Sequence, residues 1–469
     1  MSKGKQLIKN TIIIVLGDFI PKLIGLILLP LYTTWLTKTE YGTYEFINSI
    51  ISLLLPLITL QIGQAVFRFI IDEKDDRIPV IISNGFYAIL FSNLICIFLA
   101  LVMLKSLDVK SRIILIIYFI FRGFVDYVRN ICRGLSNFKL YSISIAVFAI
   151  LNLISSPIFV IYLKMGLNGL IISLIIAEGL TFLFVMFKGK LYNKISYRYI
   201  SFKEIKLLIN YSLPLVPNKI SWWFVNLSDR MIITAFLGFN MNAIYAIANK
   251  IPSLYSTFYN TFNLAWQESA SVNSEDNDYF KKVFDSLFKF LVSSNIFLIS
   301  ITPIIYKMFV SSQYESAKIF SLILYIALFF STLSSFLGGI LIAKKDTKIL
   351  GIMTLLSAII NIILNLLFIK KIGLYAPSLS ALVSYFILFI QRYKYVNDNV
   401  TKIKINKTCV FISLIFTVSI AILYYFESWI NVSISLLLVF VYIRIYSFDI
   451  IKNLFKIVIK QFKLKRKGA

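Results

Sequence analysis

The sequence predicts an all-α integral membrane protein with about fourteen transmembrane helices. They would form two six-helix lobes with pseudo-twofold symmetry, plus two C-terminal helices. Three observations predict this. The 469 residues are 59% hydrophobic and 15% charged, where soluble domains run at roughly 45–50% apolar and about 25% charged. Long apolar runs recur along the whole chain, separated by short polar breaks. A stretch near the start also repeats weakly near the middle.

The apolar runs fall near 11–36, 44–67, 80–104, 113–131, 141–163, 166–187, 207–237, 241–265, 283–309, 317–342, 349–369, 374–396, 407–426 and 428–446. In hydrocarbon the backbone must satisfy its own hydrogen bonds, so runs of this length read as helices. The first run, in MSKGKQLIKNTIIIVLGDFIPKLIGLILLPLYTTWL, exceeds the roughly 7–15 residues of a signal-peptide core and shows no small-residue cleavage site. It reads as an uncleaved membrane helix.

With both termini cytoplasmic, nine of the 48 Lys and Arg fall in outer loops: Lys38, Lys105, Lys110, Arg112, Lys164, Lys307, Lys318, Lys370 and Lys371. Most of the others lie in cytoplasmic loops and tails, the positive-inside pattern. This pattern accounts for most of the net charge of +26 without nucleic acid.

The repeat aligns LYTTWLTKTEYGTYEFINSI (31–50) with IITAFLGFNMNAIYAIANKI (232–251). Thr33, Leu36, Tyr44, Asn48 and Ile50 match Thr234, Leu237, Tyr245, Asn249 and Ile251. It lays the end of span 1 on the end of span 7. The expected organisation is an N-terminal lobe 1–187, a basic cytoplasmic linker 188–206 on the membrane surface and a C-terminal lobe 207–396. Helices 13–14 (397–446) and a basic interfacial tail (447–469) follow. That tail, SFDIIKNLFKIVIKQFKLKRK, alternates apolar and basic residues and is expected on anionic membrane lipid.

The chain has no histidine, which removes the usual general base and commonest metal ligand. Cys96, Cys132 and Cys409 are far apart in or beside apolar segments and read as core residues. No metal or cofactor is expected.

Ionisable residues inside a membrane are costly and mark function by default. In span 7, Lys219, Trp223, Asn226 and Arg230 share one helical face, the two cations ~16 Å apart. Asp229 points away from Arg230, and Pro214 and Pro217 should break or kink the helix. Span 8 carries a longer stripe, Asn249, Ser253, Ser256, Asn260, Asn263 and Gln267, with Lys250 beside it. Amides and hydroxyls both donate and accept, as a sugar-rich ligand requires; the competing reading is small-polar helix packing.

Asp18 with Lys22, and Arg122 with Asp126, are spaced to neutralise within their own helices, as structural locks or as gating and ion-coupling groups. Glu178 has no partner on its helix. Arg68 and Arg129 are expected to snorkel toward the cytoplasmic boundary.

Several stretches resemble the Wzx-type polysaccharide repeat-unit flippases of the multidrug/oligosaccharidyl-lipid/polysaccharide exporter superfamily. They are PKLIGLILLPLYTTWLTKTEYGTYEF (21–46), DRMIITAFLGFNMNAIYAIANKI (229–251), FNLAWQESA (262–270) and NIILNLLFIKKIGLYAPSLSALVSYFILF (361–389). Pro377 departs from the family, where a small residue is more usual. The resemblance implies a central cavity lined mainly by spans 1, 2, 7 and 8 that opens alternately to either side. It implies a polyprenyl-pyrophosphate-linked oligosaccharide as substrate, with glycan polymerase machinery as a further partner. The location it implies is a bacterial or archaeal cytoplasmic membrane. Arg230 and Lys219 would then meet pyrophosphate or acidic sugars; the alternative is an interhelical lock between Asp229 and a cation of another span.

Rival readings are a lipid-linked peptidoglycan-precursor flippase and a multidrug or cation antiporter of the same superfamily. The antiporters usually have twelve spans and an acidic cavity, unlike the slight cationic excess here. A membrane glycosyltransferase or polymerase is disfavoured by short outer loops, by the lack of histidine and by the lack of an acidic metal motif at a membrane boundary. The acidic run NSEDND (273–278) reads as a solvated loop. The chain is therefore expected not to be an enzyme.

Overall fold

The computed structural model describes residues 17, 19–73, 76–103, 109–273, 275–403, 406–426, 428–449 and 452. Asp18 and most of the 447–469 tail lie outside them. Among the described residues the chain is helical, with no strand. It folds as two compact units, Met1–Ala243 and Ile244–Ala469.

The first unit begins with α1 (Phe19–Trp35) and α2 (Lys38–Ile58). Thr37 and Glu40 form a reciprocal capping box that starts α2, satisfying donors that would otherwise be orphaned at a helix end. The second predicted span is broken: α2 stops after Pro56, and Leu60 and Gln61 take left-handed backbone before α3 (Ile62–Asp72). Then come α4 (Ile78–Met103), α5 (Val109–Gly134), α6 (Phe138–Pro157, continued by a π turn to Tyr162) and α7 (Gly166–Lys188). The seventh span is also broken, as its prolines predict. α8 (Phe202–Ser212) ends just before Pro214, and α9 (Leu215–Leu237) starts just after it.

The linker is more ordered than a basic strip on lipid. Its two 3-10 turns, Leu191–Lys194 and Tyr197–Tyr199, dock on α4. Buried Ser83 donates to the Lys194 carbonyl at 3.0 Å and accepts from the Ser196 amide at 3.0 Å. Buried Asn84 donates to the Tyr199 carbonyl and accepts from the Ser201 amide, each at 2.8 Å. Four otherwise unsatisfied backbone groups are thus met by two side chains, which fixes the connection.

The second unit holds most of α10 (Phe239–Val272), then α11 (Asn277–Phe309), α12 (Ala317–Ala343), α13 (Thr347–Ile372) and α14 (Tyr375–Asn399). The two additional helices, α15 (Lys407–Tyr425) and α16 (Trp429–Tyr442, continued by a π turn to Ser447), pack on α11. Ser413 bonds Tyr442 at 2.7 Å and Ser293 bonds Ser447 at 2.6 Å across these seams. Trp266 anchors α10 on α12: its indole stacks on Phe336 at 4.1 Å and donates to the Phe336 carbonyl at 2.9 Å. Gly339 permits this, since a β-carbon there would lie 2.5 Å from the indole nitrogen.

Among the described residues, eight helices are long and apolar enough to cross a membrane by themselves. Several leave large apolar side chains exposed, such as Leu355, Ile363 and Leu367 on α13 and Leu437 and Phe440 on α16. Rows of this kind face lipid comfortably and water badly.

The compact units divide at residue 243, whereas the sequence repeat divides the chain at the linker. The reason is that α9 packs against α2. At the repeat itself, equivalent residues meet: the Thr39 hydroxyl bonds the Asn240 side chain at 2.8 Å, 201 positions away. Asn242 donates to the Gly42 carbonyl at 2.9 Å. Gly42 is required here, because a β-carbon would sit 1.8 Å from the Phe239 carbonyl oxygen.

Candidate functional site

The polar residues of the first unit form a connected system around α2 and α5. On α2, Tyr41, Glu45 and Ser49 are one turn apart and so share a face. Glu45 is 5% exposed. The Tyr41 hydroxyl donates to it at 2.9 Å, and Arg230 on α9 donates to its other oxygen. Two turns away on α9, the Trp223 indole donates to the Ser49 carbonyl at 2.8 Å. Arg230 meets the earlier residue and Trp223 the later one, so α2 and α9 run antiparallel.

Beside them, the Tyr118 hydroxyl of α5 donates to Asn48 of α2 at 3.3 Å. One turn further along α5, Arg122 pairs with the fully buried Glu178 of α7. The Asn48–Tyr118 bond therefore bridges two ion pairs, Arg230–Glu45 and Arg122–Glu178. Each pair removes charge from an apolar interior, where a lone ion would cost several kcal/mol in practice.

Several sequence expectations change here. Arg122 does not close on Asp126 within its helix, and Glu178 is not alone; the two meet across a helix–helix seam. The Lys219, Trp223, Asn226 and Arg230 stripe does not form one open wall. Lys219 is exposed, Trp223 is 1% exposed in the seam with α2, and Arg230 is bonded to Glu45. The side chain of Asn226 lies outside the described residues. The reason is tertiary: α9 offers this face to α2 along most of its length.

Glu45 begins a polar stripe with Asn48, Ser49 and Ser52, but it stands at the very start of predicted span 2, where a carboxylate reads as a boundary charge. The carboxylate becomes significant only through a partner 185 residues away.

Asp126 is exposed, and its carboxylate accepts from Asn130 at 3.2 Å. It lies in the field of Arg122, Arg129, Lys219 and Arg133. Arg129 is held by Ser144 at 3.2 Å, and Arg133 lies 4.5 Å over the Phe67 ring. Arg122 is already paired with Glu178, so three further cations, Arg129, Arg133 and Lys219, act on the carboxylate of Asp126. For the three arginines the spacing was present in the sequence, since 122, 126, 129 and 133 share one face of a helix, whereas Lys219 joins from α9.

In the second unit, the six-residue stripe of α10 occupies a more open face, about a quarter turn around the helix from buried Tyr255, Tyr259 and Trp266. Asn260 is exposed, and the other five are half-buried. Three are bonded to their own helix: Asn249 to the Tyr245 carbonyl at 3.0 Å, Ser253 to that of Lys250 at 2.7 Å, and Ser256 to that of Ser253 at 2.8 Å. Their oxygens can still accept. Lys250, Lys22 and Asp229 are half-buried and engaged with neighbours. Arg392 of α14, which the sequence analysis passed over, is buried and donates to the Ser334 carbonyl at 2.7 Å and the Thr354 hydroxyl at 2.8 Å.

Among the described residues no group of three or more Cys, Asp or Glu could hold a metal.

With its described residues helical, lipid-compatible faces and ion pairs buried between helices, the chain is a multi-pass membrane protein. Its fold is similar to those of several solved membrane transporters. It is similar to the lipid II flippase MurJ in an inward closed conformation, with a TM-score of 0.71, 14% identity, and 93% of this chain and 98% of that chain covered. An inward-facing multidrug resistance MATE family transporter matches with a TM-score of 0.61 and 13% identity, covering 80% of this chain and 97% of that one. A MOP superfamily transporter from Pyrococcus furiosus gives 0.54 and 13%, covering 84% and 96%. No curated protein matches the sequence significantly. Residues 7–267 match the family described as polysaccharide biosynthesis protein, and the chain belongs to that family.

Proposed function

We propose that this chain moves polyprenyl-pyrophosphate-linked oligosaccharide repeat units from the cytoplasmic to the outer leaflet of the cytoplasmic membrane by alternating access. Membership of a polysaccharide biosynthesis family and a transporter fold support the class. The observation that carries the substrate is the gathering of Arg129, Arg133 and Lys219 near the exposed carboxylate of Asp126, beside the Arg122–Glu178 pair. A pyrophosphate needs convergent cations, and guanidinium forks bind its oxygens in pairs.

With both termini cytoplasmic, as the loop charges favour, this cluster belongs to the inner half of the membrane, where substrate loads. The α10 stripe of Asn249, Ser253, Ser256, Asn260, Asn263 and Gln267, with Lys250, supplies donors and acceptors for sugar. Trp223 and Arg230 act through the seam with α2 and not by touching ligand. Glu45–Arg230 and Arg122–Glu178 are the gating pairs, with Asp18, Lys22 and Asp229 as further candidates. The basic tail rests on anionic lipid, and glycan polymerase machinery receives the product.

A second reading, a lipid-linked peptidoglycan-precursor flippase, is favoured by the TM-score of 0.71 to MurJ. A multidrug or cation antiporter is favoured less, because the cluster is cationic. One experiment separates the three: mass spectrometry of lipids from source cells depleted of this chain. Accumulation of a complete polyprenyl-pyrophosphate-linked repeat unit, with surface glycan lost, is expected. Accumulated peptidoglycan precursor supports the second reading, and an unchanged lipid pool with altered drug sensitivity supports the third.

A further inference from the structure

A second polar site lies in the Ile244–Ala469 unit, away from the α10 stripe. Where α11 ends and α12 and α16 begin, the chain encloses a pocket of about 440 Å³ lined by Lys307, Ser312, Glu315, Lys318, Ser428 and Trp429, among others. Two of the few basic residues assigned to outer loops thus converge on one place. Lys307 holds its ammonium 4.6 Å from the centre of the Trp429 ring. Lys318 pairs with Glu315 at 3.1 Å, so among the described lining residues two lysines face one carboxylate.

The backbone adds to this. α12 has 27 residues and α16 has 14, and both start at the pocket. Helix N-termini present partial positive charge and unsatisfied amides. α11 and α15 bring C-termini beside them, so the lysines and not the helix ends set the charge. The wall is held in place by α15, whose Tyr424 hydroxyl donates to the Lys318 carbonyl at 2.8 Å.

The surroundings decide between a free anion and a lipid. Trp429 is 62% exposed, and its chain neighbours Tyr425, Phe426 and Ile430 are exposed too, as is Met308 beside Lys307. Exposed aromatics at helix ends mark the level of the lipid headgroups. A phosphate in this pocket would have apolar surface ready for acyl chains next to it.

We propose that this pocket binds the phosphodiester headgroup of an anionic phospholipid in the leaflet facing it, the outer one if the termini are cytoplasmic. Lys307 and Lys318 bind the phosphate oxygens, and the serine hydroxyls and Trp429 flank the glycerol. The bound lipid braces α15 and α16 against α11.

The test is native mass spectrometry of the full chain, released from detergent with equimolar phosphatidylglycerol and phosphatidylcholine of matched acyl chains. Wild type should retain phosphatidylglycerol at least fivefold over phosphatidylcholine. Lys307→Gln with Lys318→Gln should abolish that preference, and Lys307→Arg with Lys318→Arg should keep it. Glu315→Gln removes the competing carboxylate and should raise retention, which tests the site even if the double glutamine variant fails to fold. Equal retention of both lipids by wild type overturns the proposal, as does a preference unchanged in the double glutamine and Glu315→Gln variants. Loss of phosphatidylglycerol to millimolar inorganic phosphate, regardless of acyl chains, would make this a free-anion site and overturn the lipid assignment.

Discussion

Removing one partner of the Glu45–Arg230 pair should destabilise the protein far more than removing both. In Glu45→Ala, Arg230 keeps its charge in a seam where 17% of its side chain reaches solvent. Breaking a buried pair from one side costs about 3–5 kcal/mol. The residual exposure of Arg230 favours the lower end. The Tyr41 hydroxyl also loses its acceptor, at about 1 kcal/mol, which gives about 4 kcal/mol in all. Arg230→Met orphans Glu45 instead and should cost a similar amount. Glu45→Ala with Arg230→Met buries no uncompensated charge, so its cost should fall below the sum of the two by about 3 kcal/mol. SDS-induced unfolding of purified variants in mixed micelles, read as a double-mutant cycle, measures this coupling. Additive single effects, or an Arg230→Met variant as stable as wild type, would refute the lock. Arg230 would then be released to meet ligand.

Three other perturbations follow from the same geometry. Gly42→Ala places a β-carbon 1.8 Å from the Phe239 carbonyl oxygen, which only a backbone shift can relieve; folded yield after extraction should drop severely, as size-exclusion chromatography would show. Asn84→Leu removes both bonds that hold Tyr199 and Ser201, so proteolysis between residues 190 and 201 should quicken while cleavage elsewhere is unchanged. Lys219→Ala removes an exposed cation from the Asp126 cluster; the protein should insert and unfold like wild type, yet restore surface glycan to depleted cells at roughly a tenth of the wild-type rate, the loss of about one charge-assisted contact. Wild-type export by that variant would remove Lys219 from the substrate site.

The helices were legible from residue order because membrane helices announce themselves through long apolar runs, which need no knowledge of neighbours. The break at Pro214 was legible for the same reason, since proline acts on its own backbone, whereas Pro217 sits in the first turn of α9 without breaking it. The break at Leu60 and Gln61 was not, because no glycine or proline marks the left-handed turn. The α10 stripe could be read from spacing alone, and the structure keeps it on the more open face of its helix.

Partnership was another matter. Sequence spacing pairs Arg122 with Asp126 and sets Lys219, Trp223 and Arg230 on a common face, because within one helix only i, i+3 and i, i+4 neighbours are visible. The structure instead joins Arg122 to Glu178 and Arg230 to Glu45 across seams, and buries Trp223 against Ser49. By itself the sequence determined that this is a helical membrane protein with costly charges at particular depths. Which charge answers which, and which cations remain gathered around Asp126, was decided only by the packing of α2, α5, α7 and α9. An ion pair depends on the distance between residues far apart in the chain, and only the tertiary fold sets that distance.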